Sequence, residues 1–322
     1  MQFGVIITCC TGDYLFAQGC LASVRTFMPG VPICLLVDGT PDTTKEEALE
    51  GVAVLLRGAV QSQELREKSF GWGLTKMVAF WESPFDQFLL LDADTCVWGD
   101  IRAELNWSAD EDMVIDQPLY RFDEPAIDKY FFSRTGIHQF DPTFNVEWHA
   151  DRYFCTGVMA ARRGIFDLNW YLQLLDVSQR DDPVFNFGEM GLLNYMIFKS
   201  IEEGRLKVAS RPIQHLLADF SKAETARRFS IVDGMPRVVE RRVLHFCGSW
   251  CKPYSINGLV YSDPMTHFRR QHGRAIHPGL TNAELDDRIR AEDQALLDRQ
   301  GLRGKLRRLK SHFSAWHRKP IA

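Results

Sequence analysis

The sequence of 322 residues predicts an α/β fold: a single Rossmann-like domain with a mostly parallel central sheet flanked by helices, and a C-terminal helical extension. The first forty residues carry this prediction. Residues 3–8 and 31–37 are apolar runs typical of buried strands, and residues 14–27 between them are predicted as a helix. Because glycine lies in both connections, the segment resembles the strand, helix and strand that begin a parallel sheet.

The next elements continue this alternation. Residues 75–82 are predicted as a helix, and residues 87–91 as a short apolar strand that leads directly into an acidic turn. In parallel sheets, ligands bind beyond the carboxyl ends of the strands, so the loops after residues 8, 37 and 91 should converge. Those loops contain Asp13, Asp38, Asp92 and Asp94.

The second half of the chain is less regular. Residues 116–152 have weak periodicity, and we interpret them as an excursion over the site. Strands are predicted over 154–161 and 243–247, and helices over 188–200 and 282–299. The last helix begins at a capping box, in which Thr281 and Glu284 can satisfy free amides.

Composition places the chain among globular proteins and excludes disordered, fibrous and collagen-like ones, since 45% of its residues are hydrophobic and 38 bases nearly balance 42 acids. Eight cysteines are too sparse for a disulfide scaffold, and none forms a CxxC pair. The N-terminus lacks the basic segment of a signal peptide, and no charge-free run of 18 or more apolar residues occurs. We therefore expect a cytosolic protein with reduced thiols and no transmembrane helix.

The net charge of -4 conceals an uneven distribution. Residues 301–322 contain seven Lys and Arg and no acid, which leaves 31 bases against 42 acids in the remainder. An acidic body argues against a nucleic-acid-binding protein. The chain is thus predicted to comprise a catalytic domain over 1–265, a linker and capping helix over 266–300, and a basic amphipathic tail helix over 301–322.

The tail has the features of a helix that lies on a membrane surface. Its apolar residues recur every three or four positions, at Leu302, Leu306, Leu309, Phe313 and Trp316, and most other positions are basic. Anionic headgroups would attract the basic face, which predicts peripheral binding to the inner face of a membrane. The alternative is a terminal helix that docks on the acidic body; nucleic acid ranks last as a partner.

The first candidate site is Asp92-Ala93-Asp94. Carboxylates two residues apart on an extended chain point to the same face and could share one divalent cation. A second triplet, Asp110-Glu111-Asp112, lies in a polar loop, whereas the first follows the apolar run at residues 88–91. The triplet at 92 is therefore the candidate metal site, with a solvated turn at a strand end as the alternative.

The second candidate is the segment from His245 to Lys252. The imidazole can bind a metal, Gly248 allows close approach of the backbone, and Lys252 suits a phosphate. A buried core histidine is one alternative. Another is a zinc site made by His245, Cys247 and Cys251, although no further ligand pair follows at zinc-finger spacing.

Five motifs together resemble a known family. They are Leu74-Thr-Lys76-Met, FLLLDADTCVWGDI from residue 88, Phe154-Cys-Thr-Gly157-Val, Gly188-Glu-Met-Gly-Leu-Leu-Asn194 and HFCGSWCKP from residue 245. In order and spacing, across residues 3–258, they resemble glycosyltransferase family 8, which includes glycogenin and bacterial lipooligosaccharide galactosyltransferases. The resemblance implies a GT-A fold, a nucleotide-sugar donor that is most often UDP-linked, Mn²⁺ with Mg²⁺ as the alternative, and transfer with retention of anomeric configuration.

The resemblance also implies roles for individual residues. Asp92 and Asp94, with Ala93 between them, and His245 match the metal ligands, Lys252 the diphosphate-binding lysine and Gly248 the close-approach glycine. Thr8, Asp13 and Tyr14 fall at the nucleoside position, Lys76 matches a lysine near the donor sugar, and Asp116 an aspartate near the donor sugar or acceptor. The acceptor would be a glycan or a lipid-linked sugar.

Three departures from the family bear on catalysis. Glu189 and Met190 stand where an Asp-Gln pair is common, Cys155 replaces an asparagine, and one extra residue lies between Gly248 and Lys252. Glu189 retains a carboxylate that could orient sugar hydroxyls or stabilise positive charge, whereas Met190 cannot hydrogen-bond as an amide does. Two alternatives stay open: an inverting GT-A enzyme with Glu189 or Asp116 as general base, and a catalytically weak membrane-anchored binder of glycan or nucleotide.

Overall fold

A computed structural model gives the fold. It describes residues 2–71, 73–179, 184–248 and 250–316, but not the side chains of residues 302–316. The strands are β1 Phe3–Cys10, β2 Ile33–Asp38, β3 Val52–Leu56, β4 Gln87–Asp92, β5 Thr95–Trp98, β6 Met113–Asp116, β7 Val158–Arg162, β8 Val208–Arg211, β9 Gln214–Leu216, β10 Ile231–Val232, β11 Met235–Pro236 and β12 Arg242–His245.

Helices separate most of these strands. They are α1 Tyr14–Phe27, α2 Thr44–Glu47, α3 Gln63–Lys68, α4 Ala79–Glu82, α5 Arg102–Leu105, α6 Glu124–Tyr130, α7 Arg134–Phe140, α8 Leu168–Ser178, α9 Glu189–Glu202, α10 Lys222–Arg228, α11 Asp263–Ile276 and α12 Asn282–Trp316. A 3₁₀ helix over Leu74–Val78 precedes α4. Side-chain oxygens of Asp123, Ser133 and Asp167 accept amide hydrogens at the starts of α6, α7 and α8, which accounts for where these helices begin.

The central sheet has seven strands in the order β3-β2-β1-β4-β7-β6-β8. All of its neighbouring pairs are parallel except those made by β7, which is antiparallel to both β4 and β6. The predicted α/β fold with a mostly parallel sheet is therefore confirmed. In the register of β1 and β4, Thr8 pairs with Asp92, so the loops after these two strands meet as expected.

A second sheet of three strands, β5-β12-β9, lies beside the first. Strand β12 is antiparallel to β5, with His245 paired to Thr95, and it is parallel to β9. The strand predicted over 243–247 ends at His245, and the next amide, that of Phe246, still donates to the carbonyl of Asp94. This sheet delivers His245 to the turn that carries the acidic triplet.

The strand predicted over 154–161 begins only at Val158. The preceding residues are held by other partners: the Asn194 side chain bonds both backbone groups of Phe154, and the Gly157 carbonyl accepts the amide of Asp92. The motif around Cys155 is therefore a loop that leads into β7 and contacts the end of β4.

Two apolar layers cover the central sheet. One contains α1, α11 and the second sheet, and the other contains α4, α8 and α9. Helix α11 packs on α1 so closely that a Cβ at Gly19 would collide with Met265. Helix α12 adds Leu285, Ile289 and Leu296 to the buried surface.

The C-terminal segments are helical beyond the boundaries we expected from sequence. Helix α11 begins at Asp263 and belongs to the core, and α12 continues through residue 300 to Trp316 without interruption. The capping box at its start is present, with Thr281 and Glu284 exchanging hydrogen bonds. The basic and apolar side chains predicted to face a membrane lie outside the described residues, as does all of 317–322. Within the described part, no helix combines the length and apolarity needed to cross a bilayer.

Glu46, a buried acid in α2 that contacts α1 and α11, predicts how the stability of the fold depends on pH. Burial by itself raises the pKa of Glu46, but hydrogen bonds with His272 and Gln18 and the neighbouring Tyr14 hydroxyl lower it to about 2 from an ordinary value of 4.5. The charged carboxylate thus stabilises the fold above pH 4.5, and this contribution, up to about 3 kcal/mol, is lost as pH falls toward 2. Melting temperatures across this range should fall more steeply for the wild type than for Glu46→Gln. Parallel curves would contradict the prediction.

Candidate metal and donor site

The acidic triplet lies at the carboxyl edge of the central sheet. Asp92 ends β4, and Asp94 lies in the turn before β5. The Nε2 atom of His245 is 3.5 Å from Asp94 Oδ1 and 3.8 Å from Asp92 Oδ2. One ligand atom from each of the three residues falls within 4.8 Å of the others, and no other group of this kind occurs among the described residues.

Two carboxylates and one imidazole suit a divalent cation such as Mn²⁺. Positive groups lie beside these acids and balance their charge. Burial by itself lowers the pKa of His245, but Cys155 and Asp94 beside it raise it to about 10. Lys252 forms an ion pair with Asp94, and together with His245 it holds the Asp94 pKa well below its usual range despite burial. The site is thus built for positive charge, which a bound cation would satisfy.

Lys76 joins the metal site to the candidate catalytic carboxylate. Its side chain is only 4% exposed, and its ammonium lies 2.8 Å from both Asp92 Oδ1 and Glu189 Oε1. Although burial alone lowers the Lys76 pKa, these two carboxylates raise it well above its usual range. The Thr156 hydroxyl also donates to Glu189 Oε1 at 3.0 Å. Glu189, the first residue of α9, is therefore fixed in place from two sides.

The three residues expected near the nucleoside separate into two groups. Thr8 donates to Asp92 Oδ1 at 3.3 Å, and Asp13 accepts the Cys10 amide at 2.6 Å. Burial raises the pKa of Asp13 to about 6, and Asp94 and Lys252 are close enough to influence it. Tyr14 is buried, and burial and Glu46 raise its pKa. Thr8 and Asp13 thus border the metal site, whereas the hydroxyl of Tyr14 lies next to Glu46.

The residues that depart from the family resemblance lie close to this centre. The Sγ atom of Cys155 is 3.8 Å from His245 Nδ1. Met190 packs against the apolar layer under α9 and offers no polar group beside Glu189. Gly248 adopts a φ of 80°, a left-handed conformation that favours glycine. Cys251 is fully buried and, like Cys247, is not part of the metal-binding group, so the zinc alternative has no support among the described residues.

The carboxylate of Asp116 is held by N–H groups of Ile213 and Gln214. Asp116 ends β6 and is buried, and its carboxylate accepts hydrogen bonds from the amides of Ile213 and Gln214 at 3.1 and 2.9 Å and from the Gln214 side chain at 3.3 Å. Burial raises the pKa of Asp116 to about 7, even though these N–H groups lower it. Gln214 in turn contacts His245.

Sequence reasoning missed four residues that build the site: Gly73, Thr156, Gly157 and Gln214. Thr156 lies within the quoted motif at 154–158 but was given no role there, and Gln214 lies in no motif. The glycines gave a signal that could have been used, since each lies within or next to a quoted motif. A Cβ at Gly73 would collide with the Glu189 carboxylate, and one at Gly157 would collide with the His245 imidazole. A side chain at either glycine would therefore fill the space that a charged group occupies.

This packing predicts that Gly157→Ala weakens metal binding. The new methyl group would push the His245 ring away from Asp92 and Asp94, and we expect a loss of about 10–100-fold in Mn²⁺ affinity, as for other disturbances of the groups around a metal ligand. Gly58→Ala is a matched control, because a Cβ there meets no atom within 4 Å. Unchanged Mn²⁺ binding by Gly157→Ala, measured by calorimetry, would contradict this packing.

The sequence matches no family model and no curated protein. By structure, the chain is similar to an active-site mutant of LgtC, at 13% identity over 84% of this chain and 96% of that one, with a TM-score of 0.57. It is also similar to the apo bifunctional glycosyltransferase WbbM, at 12% identity over 89% and 51% of the two chains (TM-score 0.56), and to the glycosyltransferase GlyE of Streptococcus pneumoniae TIGR4, at 13% identity over 86% and 63% (TM-score 0.51). The GT-A fold that the family 8 resemblance implied is confirmed.

Proposed function

We propose that the chain is a metal-dependent glycosyltransferase that moves a sugar from a UDP-linked donor to a hydroxyl of a glycan or lipid-linked acceptor, with retention of anomeric configuration. The observation that carries the proposal is the convergence of Asp92, Asp94 and His245 at the carboxyl edge of a GT-A sheet. The similar structures of that fold include two glycosyltransferases, WbbM and GlyE, and the active-site mutant of LgtC.

The donor diphosphate would meet positive charge from two directions. Mn²⁺ held by Asp92, Asp94 and His245 would act as a Lewis acid and stabilise the negative charge of the leaving diphosphate. Mg²⁺ is the alternative, but its preference for oxygen ligands makes the imidazole a poor match. Lys252 can exchange its carboxylate partner, Asp94, for a phosphate oxygen, and Gly248 lets the backbone approach the same group.

The sugar would lie between the metal site and Glu189. As the bond to the diphosphate breaks, the sugar acquires positive charge, which a carboxylate can stabilise. Lys76 and Thr156 hold Glu189 in one position, in which its carboxylate could take this role. The acceptor hydroxyl would then attack on the face that the diphosphate leaves and pass its proton to the departing diphosphate oxygen, which gives retention. An inverting reaction would instead need a general base, and the two candidate carboxylates, Glu189 and Asp116, are held by N–H or O–H donors in the structure.

A direct test is a panel of nucleotide sugars incubated with the protein and Mn²⁺, with release of nucleoside diphosphate as the readout. One donor should be hydrolysed slowly without acceptor, and chelation of the metal should stop the reaction. A catalytically weak binder is the second candidate, because Met190 and Cys155 place no amide beside the sugar position. UDP that raises the melting temperature only with Mn²⁺, together with no turnover of any donor, would favour the binder.

We expect the tail to localise the proposed enzyme to the inner face of a membrane that carries its acceptor. We expect the full chain to sediment with anionic vesicles and a chain ending at Gln300 to remain in the supernatant, because the deletion removes seven bases and the apolar stripe. Binding should weaken in high salt and be absent with neutral vesicles. If the tail instead docks on the acidic body, neither the full chain nor the truncated chain would sediment with the vesicles. The truncated chain would then melt at a lower temperature than the full chain.

A further inference from the structure

A chain of hydrogen bonds runs from the end of the central sheet to the proposed metal ligand. Asp116 Oδ2 accepts from the side-chain nitrogen of Gln214 at 3.3 Å, and the side-chain oxygen of Gln214 lies 2.7 Å from His245 Nδ1. Strand register explains the approach. Gln214 pairs with Val243 in parallel strands β9 and β12, and His245, two residues further on, projects from the same face.

The direction of this chain decides which nitrogen of His245 keeps its proton when the other binds a metal. Oxygen Oε1 of Gln214 can only accept, so Nδ1 must be an N–H donor, and Nε2 is the nitrogen that can give up its proton and offer a lone pair to a cation held together with Asp92 and Asp94. The Cys155 thiol, 3.8 Å from the same Nδ1, is a weak acceptor and does not compete. Only the tautomer with hydrogen on Nδ1 can bind a metal through Nε2.

Asp116 in turn fixes the orientation of the Gln214 amide. One of its oxygens, Oδ1, accepts from the backbone amides of Ile213 and Gln214, and the other, Oδ2, faces the Gln214 side chain. A carboxylate can only accept, so the amide must present its NH₂ to Asp116 and its oxygen to His245. An asparagine at 116 would keep its oxygen on the two backbone amides and turn an NH₂ toward Gln214. Gln214 would then flip, present its own NH₂ to Nδ1 and favour the tautomer with hydrogen on Nε2.

We propose that Asp116 and Gln214 are positioning residues that hold the His245 imidazole in the tautomer able to bind the metal. This inference rests on the proposed function, and it gives Asp116 a role behind the metal ligand rather than at the sugar. Outer hydrogen-bond partners of a metal-bound histidine fix its ring and tautomer in this way.

The test is Mn²⁺ titration, with free Mn²⁺ followed by EPR, in the absence and presence of UDP. Asp116→Asn is expected to lower Mn²⁺ affinity by about 10–100-fold. The exchanged double variant, Asp116→Asn with Gln214→Glu, should recover most of the loss, because the introduced amide can donate to the introduced carboxylate, whose second oxygen again accepts from Nδ1. A purely structural role for Asp116 predicts no such recovery. If Asp116→Asn fails to fold, Gln214→Met, which removes the acceptor and retains the length, should show the same loss.

Thr225→Val is the matched control. It removes a buried hydrogen bond of 3.1 Å to a different histidine, His215, and should change the melting temperature without changing Mn²⁺ affinity. Wild-type affinity in Asp116→Asn, or a double variant no better than that single variant, would overturn the positioning role alone. Failure of the wild-type chain to bind Mn²⁺ in either condition would overturn the proposed function and the positioning role together.

Discussion

Replacing Asp94 by asparagine is expected to reduce kcat/KM for sugar transfer by about a thousandfold or more, the largest effect on activity that the site predicts. The substitution keeps the shape of the side chain but removes a negative charge that is shared between the metal position, Lys252 and His245. Loss of a Lewis acid at a leaving group costs several kcal/mol of transition-state stabilisation, and each 1.36 kcal/mol is about a tenfold change in rate.

The second acidic triplet provides the control for this prediction. Asp110 is exposed in the loop before β6, and Asp110→Asn should leave turnover unchanged. Both variants should be assayed over a range of Mn²⁺ concentrations, because partial recovery at high Mn²⁺ separates weakened binding from loss of chemistry. Full Mn²⁺-dependent turnover by Asp94→Asn would remove the basis for the metal site.

Replacing Arg269 by methionine is expected to destabilise the fold by about 3–5 kcal/mol, the largest effect on stability. Arg269 in α11 lies 2.7 Å from Asp293 in α12, and both side chains are almost completely buried. The substitution would leave the Asp293 carboxylate buried, with only the amide and hydroxyl of Ser255 as its remaining described hydrogen-bond donors. An uncompensated buried charge is costly because the interior cannot solvate it.

Urea denaturation measures this change directly. Arg290→Met, in the helix α12 that carries Asp293, is the control: its ion pair with Asp287 is exposed, and such pairs contribute about 0.5 kcal/mol or less. A similar small change for both variants would show that the pair between α11 and α12 is not a buried charge pair in solution. A large difference would also identify α12 as part of the folded body rather than an appendage.

The fold was largely predictable from local patterns. Apolar runs and their glycine-containing connections identify β1, α1, β2 and β4, because a buried parallel strand needs little beyond a short apolar segment. The direction of β7 could not be predicted in this way. Its apolar residues fit either orientation, and the antiparallel pairing depends on the route of the preceding loop, which Asn194 holds from a distant helix.

The site residues that lie at the ends of predicted strands could be identified from the sequence. The acids of the triplet are conspicuous because they end an apolar strand, and His245 ends another. Gln214 acts through hydrogen bonds to Asp116 and His245, 98 and 31 positions away, and nothing in the neighbouring sequence marks it. Thr156 lies within a motif, but its hydrogen bond to Glu189, 33 positions away, could not be predicted from the residues around it. Asp116 was identified as a functional carboxylate by its resemblance to the family, but only the three N–H groups around it show which way it faces.

The double ion pair of Lys76 has a consequence for protein engineering. Since one ammonium bridges Asp92 and Glu189, the two carboxylates compete for the same positive charge, and a change at one alters the field felt by the other. Binding at two such linked positions is reciprocal: whatever the metal does to the affinity for the sugar, the sugar does to the affinity for the metal. Libraries that vary Glu189 to obtain a new donor preference will therefore also vary the metal requirement, and they should be screened at several Mn²⁺ concentrations so that useful variants are not discarded.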